Sequence, residues 1–324
     1  MVYLISFVLR YLTRWWITVK IAKLIRRFIV KKYNADEKFI QNTKIKKEIY
    51  WNEISWFSWL ARYAYKTTEE IQEKYTTFDK VYINEIEKIK YIVLTDDRTK
   101  TYYISIRGTT NSHNALQDIN FLKDKSFRLG INIHTGFHRP AEIIADDLLS
   151  SLDKSYSIKI TGHSLGGAVA VIVAWYLDYS GYTIDECITF GQPKVTDTIG
   201  SRKMRGKIPL TRVVNETDVV ALVPPAGTHM NRYAQLGDII KLLDNGHYCY
   251  LTEPDSLNFG VNSFWLFAAR ESLSFYEIGK ELPDHYMNSY HENINKIQEN
   301  PKEVLWKDRL QYIEDGGILG EWKK

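Results

Sequence analysis

Apolar and polar positions along this chain change period from helical to extended several times, and each change marks an element. Between residues 49 and 75 large apolar side chains recur at helical spacing, with Trp56, Trp59, Leu60, Tyr63 and Ala64 on one stripe. Thr67-Thr68-Glu69-Glu70 reads as a cap opening another helical turn. Two β-rich runs follow at 90–95 and 101–107, and the polar turn Asp96-Asp97-Arg98-Thr99 between them predicts a hairpin. A helix is predicted over residues 140–152, with Pro140 near its start. Residues 157–161 are β-rich, and small apolar residues over 168–176 predict a helix. Short extended runs then occupy 188–191 and 211–214. The apolar run over 258–276, with Phe264, Trp265, Leu266, Phe267 and Ala268, reads as a buried helix or the lining of an apolar pocket. Residues 115–127 mix charge with Leu116, Ile119, Phe121 and Leu122, which suits either a surface segment or a cover over an apolar site.

Composition changes this picture little, but charge changes it at one end. The chain has 324 residues, 44% of them hydrophobic and 25% charged, enough for one large α/β domain with additions or for two small domains. Its two cysteines, Cys187 and Cys249, read as buried thiols rather than a disulfide framework. The net charge of +4 is unevenly spread. Residues 1–32 hold Arg10, Arg14, Lys20, Lys23, Arg26, Arg27, Lys31 and Lys32 and no acid, so the remainder of the chain is weakly acidic. That balance argues against a nucleic-acid partner. The basic stretch is also rich in Leu, Ile, Phe and Val and contains Trp15 and Trp16. It predicts an N-terminal basic amphipathic helix, imperfect on a helical wheel, that lies on a membrane or packs on a protein surface. Its longest uncharged run, Met1 to Leu9, falls far short of the roughly 20 residues that cross a bilayer. It lacks a charged start and a small-residue cleavage site, so it does not read as an export signal. The expected location is intracellular with peripheral membrane contact, secretion remaining open.

The chemistry concentrates at Thr161-Gly162-His163-Ser164-Leu165-Gly166-Gly167. A strand, a Gly-X-Ser-X-Gly turn and a helix in that order form the context of a nucleophile elbow, with Gly162 and Gly166 where a Cβ would strike backbone. His163 and Leu165 occupy the two variable places of the motif. A serine nucleophile needs a base, a carboxylate and an oxyanion hole. Arg107-Gly108-Thr109 ends a β-rich run, and Thr109 can offer its N–H and hydroxyl to an oxyanion if Ser164 lies opposite. The N–H of Leu165, next after the nucleophile, is the second donor. Asp218 lies just beyond the extended run 211–214, where parallel α/β sheets place their sites, and Asp197 is its rival. Chain order leaves His229, His247, His285 and His291 as bases, while His134 reads as structural. No metal cluster and no phosphate-cradling glycine loop is present in the sequence, so neither a metal nor a cofactor is expected.

Five blocks resemble the class 3 lipase family of α/β-hydrolases, in that family's order. They are Ser105-Ile106-Arg107-Gly108-Thr109; His134-Thr135-Gly136-Phe137; residues 161–168; Thr189-Phe190-Gly191-Gln192-Pro193-Lys194-Val195; and Arg212-Val213-Val214-Asn215-Glu216-Thr217-Asp218 running on to Pro224-Pro225. The resemblance spans roughly residues 90–290. It implies an α/β-hydrolase fold, a central mostly parallel sheet flanked by helices, and hydrolysis of carboxylic esters of lipids. It also implies Ser164 as nucleophile, Asp218 as the acid and His285 as the base. His285 stands in Asp284-His285-Tyr286-Met287-Asn288-Ser289-Tyr290, which resembles the family's late Asp-His-X-Met-X-X-Tyr segment. Two places depart from the pattern. Tyr233-Ala234-Gln235-Leu236-Gly237 has glutamine where many members have histidine, and Ala115-Leu116-Gln117-Asp118 keeps the family's acid but not the preceding tryptophan. The expected organisation is an N-terminal arm and connector over 1–45, a hydrolase domain over 46–295 and a charged helical extension over 296–324. An esterase for small soluble esters and a non-catalytic lipase-like module are the competing readings.

Overall fold

A computed structural model of the protein describes residues 48–109, 122–224, 233–253 and 283–313. The arm over 1–32, the segment 115–121, His229 and the apolar run 258–276 lie outside the described residues. Helix α1, Trp51–Tyr63, and helix α2, Thr68–Lys74, follow the predicted stripe, and Thr67 and Glu70 close the predicted capping box. Strand β1, Lys80–Ile86, was not legible from the sequence, because an exposed Tyr82 and a half-buried Asn84 blur the alternation of Val81, Ile83 and Ile86. It pairs antiparallel with β2, Ile89–Asp96, which pairs antiparallel with β3, Thr101–Ile106, as the hairpin signal required.

Strands β4, Lys123–Ser126, and β5, Ile131–His134, lead into helix α3, Thr135–Ser151. This helix begins five residues before the predicted start. The His134 side chain accepts the Gly136 N–H at 3.1 Å and caps the helix end, leaving Pro140 inside it. Strand β6, Ser157–His163, then turns into helix α4, Leu165–Tyr179, which is buried from Gly166 to Leu177. A helix apolar all round belongs inside a layered domain.

Beyond it come β7, Thr183–Phe190, the short strand β8, Thr196–Asp197, helix α5, Thr198–Met204, and β9, Leu210–Asn215. Two-residue β10, Tyr233–Ala234, precedes β11, Asp238–Leu242, and β12, His247–Leu251. Helix α6, Met287–Glu299, and strand β13, Lys302–Glu303, complete the order.

The main sheet runs β1-β2-β3-β6-β7-β9-β11-β12-β13, with β3, β6, β7, β9 and β11 mutually parallel. A second sheet, β10-β8-β5-β4, is antiparallel. Alternate residues of each central strand feed opposite cores. Ile158, Ile160, Cys187 and Leu210 pack with α3 and α4, whereas Ile188, Phe190, Val213 and Ile240 pack with α1 and α6. Both cysteines are free and buried, as read from their surroundings. Among the described residues, no helix is long and apolar enough to cross a membrane.

The stretch expected as a charged helical extension from residue 296 differs from that expectation. Helix α6 ends at Glu299, β13 pairs in parallel with β12, and a 3₁₀ turn over Trp306–Tyr312 packs Trp306 against Leu222, Leu243 and Leu251. Pro301 cannot continue the helix, and the apolar spacing after it suits a strand and a tight turn. An ion-pair cluster fastens this segment. Glu216, just past β9, sits 3.0 Å from Lys241 of β11 and 3.6 Å from Arg309 of the 3₁₀ turn, all three buried. Removing the shared anion leaves two buried cations facing each other. Glu216→Gln is therefore expected to lower the unfolding free energy by about 3–5 kcal/mol in denaturant titration.

Candidate active site

Because β3, β6 and β9 run parallel, the turns after all three strands share one edge of the sheet. The turn after β6 holds Ser164 at φ 57° and ψ −130°, a left-handed backbone that a serine adopts only under constraint. Its N–H donates to the Phe190 carbonyl at 2.9 Å, and α4 begins at the next residue. The two glycines stand where they were expected to be needed. A Cβ on Gly162 would strike the Gly166 backbone, and one on Gly166 would strike Ile106 and Gly108.

Ser164, His285 and Asp218 form one hydrogen-bonded chain. The Ser164 hydroxyl lies 2.8 Å from His285 Nε2, and His285 Nδ1 lies 2.8 Å from Asp218 Oδ2. A carboxylate only accepts, so Nδ1 carries the proton and Nε2 is left to receive one from the serine. All three side chains are buried. Asp218 has two further donors, the Tyr290 hydroxyl at 2.6 Å on Oδ2 and the Val220 N–H at 2.8 Å on Oδ1. Burial opposes charge on Asp218, but His285, Tyr290 and the Val220 N–H outweigh it and hold the carboxyl below its ordinary range. Gly191, at φ +57°, lies against this pair. A Cβ there would come within 2.7 Å of Asp218 Oδ2 and 3.0 Å of His285 Nδ1.

Thr109 and Leu165 line one cavity of about 630 Å³ together with Gly108, Arg107, Thr135, Gly136 and Arg139. Leu165 is the first residue of α4, where backbone N–H groups have no intrahelical acceptor. Around the cavity mouth Arg139 pairs with Glu87 at 2.8 Å and Arg107 with Glu85 at 3.6 Å. Among the described residues no cluster of His, Cys, Asp and Glu could hold a metal ion.

The rival residues have other work. Asp197 caps α5 by accepting the Gly200 N–H at 2.9 Å and also accepts from the Asn132 amide at 2.9 Å. His247 donates from Nδ1 to the Asp244 carbonyl at 2.9 Å, and its ring lies 4.4 Å from that of Tyr312. His291 Nδ1 lies 2.8 Å from Ser58 Oγ and joins α6 to α1. Gln235, the departure from the family pattern, donates to the Ala221 carbonyl at 2.8 Å and holds the turn that follows Asp218.

Sequence reasoning assigned no role to Tyr290 or Asn215. The Tyr290 hydroxyl accepts the Asn215 N–H at 3.1 Å while donating to Asp218. The Asn215 amide donates to the Asp284 carbonyl at 2.7 Å, one residue before His285. Tyr290 falls within the late Asp-His-X-Met-X-X-Tyr segment, so its position was visible although its partner was not.

The family model described as Lipase (class 3) matches residues 103–228. A secreted mono- and diacylglycerol lipase of Fusarium solani is 31% identical over 141 residues, covering 41% of this chain and 42% of its own length. A Rhizomucor miehei lipase is 29% identical over 200 residues, covering 54% of each chain. The chain thus spans about half the length of the curated relatives it matches. Its fold is that of the Rhizomucor miehei lipase propeptide complex, with a TM-score of 0.54 at 23% identity over 76% of this chain and 85% of that one. Lipase II from Rhizopus niveus gives a TM-score of 0.51 at 23% identity, over 59% and 80% of the two chains.

Tyr290→Phe removes one donor from a buried carboxylate and one acceptor from the Asn215 N–H. It is expected to cost about 1–3 kcal/mol of stability. A lowered folded pKa supplies stability above the ordinary carboxylate range that is lost as pH falls through the folded value. The variant raises that folded value, so its loss of stability on acidification should be shallower than the wild type's in parallel denaturation curves.

Proposed function

We propose that this chain, whose residues 103–228 match the class 3 lipase model, is a serine hydrolase acting on carboxylic esters of lipids. The observation that carries this reading is the continuous hydrogen-bonded line from Ser164 through His285 to Asp218. In the proposed reaction His285 takes the Ser164 proton as the oxygen attacks the ester carbonyl. The N–H groups of Leu165 and Thr109, with the Thr109 hydroxyl, receive the oxyanion, and each such donor supplies about 3 kcal/mol of barrier lowering. His285 then returns the proton to the leaving alcohol, and water releases the acid from the serine ester by the same steps in reverse. Asp218 stays ionised and stabilises the imidazolium.

Acylglycerols and phospholipids with a carboxylic ester are the substrate classes this chemistry fits. Small soluble esters share the bond but not the link to lipases among the relatives. Ser164→Ala is expected to keep the fold and lose at least about 10⁴-fold of ester turnover. A fluorophosphonate probe should label the wild type at Ser164 and leave the variant unlabelled. Undiminished hydrolysis by the variant would end the proposal.

The basic and apolar composition of residues 1–32 supports peripheral contact with an anionic lipid surface. Removing those residues should lower co-sedimentation with anionic liposomes, more so at low salt. Equal sedimentation of the two proteins would refute membrane contact through the arm.

A further inference from the structure

Resting on Ser164 as the nucleophile, we propose that Tyr65 and His163 form a second hydrogen-bonded line that positions His285 from its backbone side and ties it to the turn at Gly108. The line has four members. The Tyr65 hydroxyl sits against Gly108, where a Cβ would come within 2.6 Å of its oxygen. The Tyr65 oxygen lies 2.8 Å from His163 Nδ1, and His163 Nε2 lies 2.7 Å from the His285 carbonyl oxygen.

Its polarity follows from its carbonyl end. A carbonyl only accepts, so His163 Nε2 carries a proton. In a neutral imidazole the other nitrogen then has none, so the Tyr65 hydroxyl donates to Nδ1. That nitrogen is bare, and His163 is a neutral imidazole in one tautomer. Its surroundings keep it neutral. Burial, and then the nearby His285, lower its pKa to about 3.

Neutrality matters to the reaction. The His163 and His285 rings lie 4.8 Å apart, so a charge on His163 would oppose the imidazolium that His285 must become. A neutral donor fixes the His285 peptide without that repulsion.

The need for such a fastening is local. His285 stands in a single 3₁₀ turn over Pro283–His285, outside any long helix or strand. Asp218 holds the far side of its ring, which leaves the pivot of the side chain to the backbone. Two donors pin that backbone, Asn215 on the Asp284 carbonyl and His163 on the His285 carbonyl. The same line reaches Gly108, beside Thr109 in the cavity wall. The turn at Gly108 and the base are thereby set by one line of contacts, and a small error in either is costly to an acyl transfer. His163 and Tyr65 act through His285, so they are positioning residues.

Three variants test the line, with kcat expressed per fluorophosphonate-labelled serine so that misfolded protein is not counted. His163→Leu fills the space and removes both bonds. It is expected to lower kcat roughly 10- to 100-fold while KM changes little. His163→Gln offers an amide oxygen to Tyr65 and an amide N–H to the His285 carbonyl, and should recover most of that loss. Tyr65→Phe keeps the ring and cuts the link to Gly108, and should fall about tenfold even if His163→Leu fails to fold. Wild-type turnover per labelled serine in Tyr65→Phe, or a loss in His163→Gln as deep as in a folded His163→Leu, overturns the line. A wild type that neither reacts with the probe nor hydrolyses any ester instead defeats the underlying reading of Ser164, and the line with it.

Discussion

A serine held at φ 57° costs on the order of 1–3 kcal/mol, and the centre of this molecule is arranged around keeping it there. Strand β6 and helix α4 press on the turn from either side, each buried in the middle of its layer. The approach is close enough that only hydrogen fits at Gly162 and Gly166. Phe190 on the neighbouring strand holds the serine N–H. The strain is therefore borne by the whole β6–α4–β7 unit, and no single contact carries it. Because β3 and β9 run parallel to β6, the same arrangement delivers Thr109 and Asp218 to the edge where Ser164 stands.

Around that turn the polar groups are buried but supplied. Asp218 would be expensive as a lone buried charge, and three donors offset the cost. Glu216, two residues earlier, solves the same problem with cations from β11 and from the 3₁₀ turn after β13. The loop after β9 thus carries two buried carboxylates with different partners. One faces the proposed reaction, and the other fastens the last described segment to the sheet. Gln235 holds the Ala221 carbonyl in the turn that follows Asp218.

Much of this was legible in the residues. The elbow was readable because glycine spacing and a strand-to-helix switch are local signals. The hairpin of β2 and β3 and the capping box at Thr67 were readable for the same reason. Strand β1 was not, since an apolar Tyr82 on its exposed face and a polar Asn84 half-buried blur the alternation of Val81, Ile83 and Ile86. The helix break at Pro301 is a local signal, whereas the pairing of the next residues with β12 is a distant contact that their charge does not announce. Tyr65, Asn215 and Tyr290 escaped notice for a related reason. Each acts through a partner 69 to 98 residues away, and no local pattern records such a meeting.

The wide spacing of these partners bears on how the site is assembled. The Ser164–His285 bond closes a loop of 121 residues, and the His163–His285 bond one of 122. Contacts this remote form late, after the entropy of the intervening chain has been lost. During synthesis the elbow, its strand and its helix can be built from residues already emerged, while the base is still unmade. A growing chain therefore holds a shaped serine turn with no proton acceptor beside it. Assembly of the three side chains waits until His285 has been made.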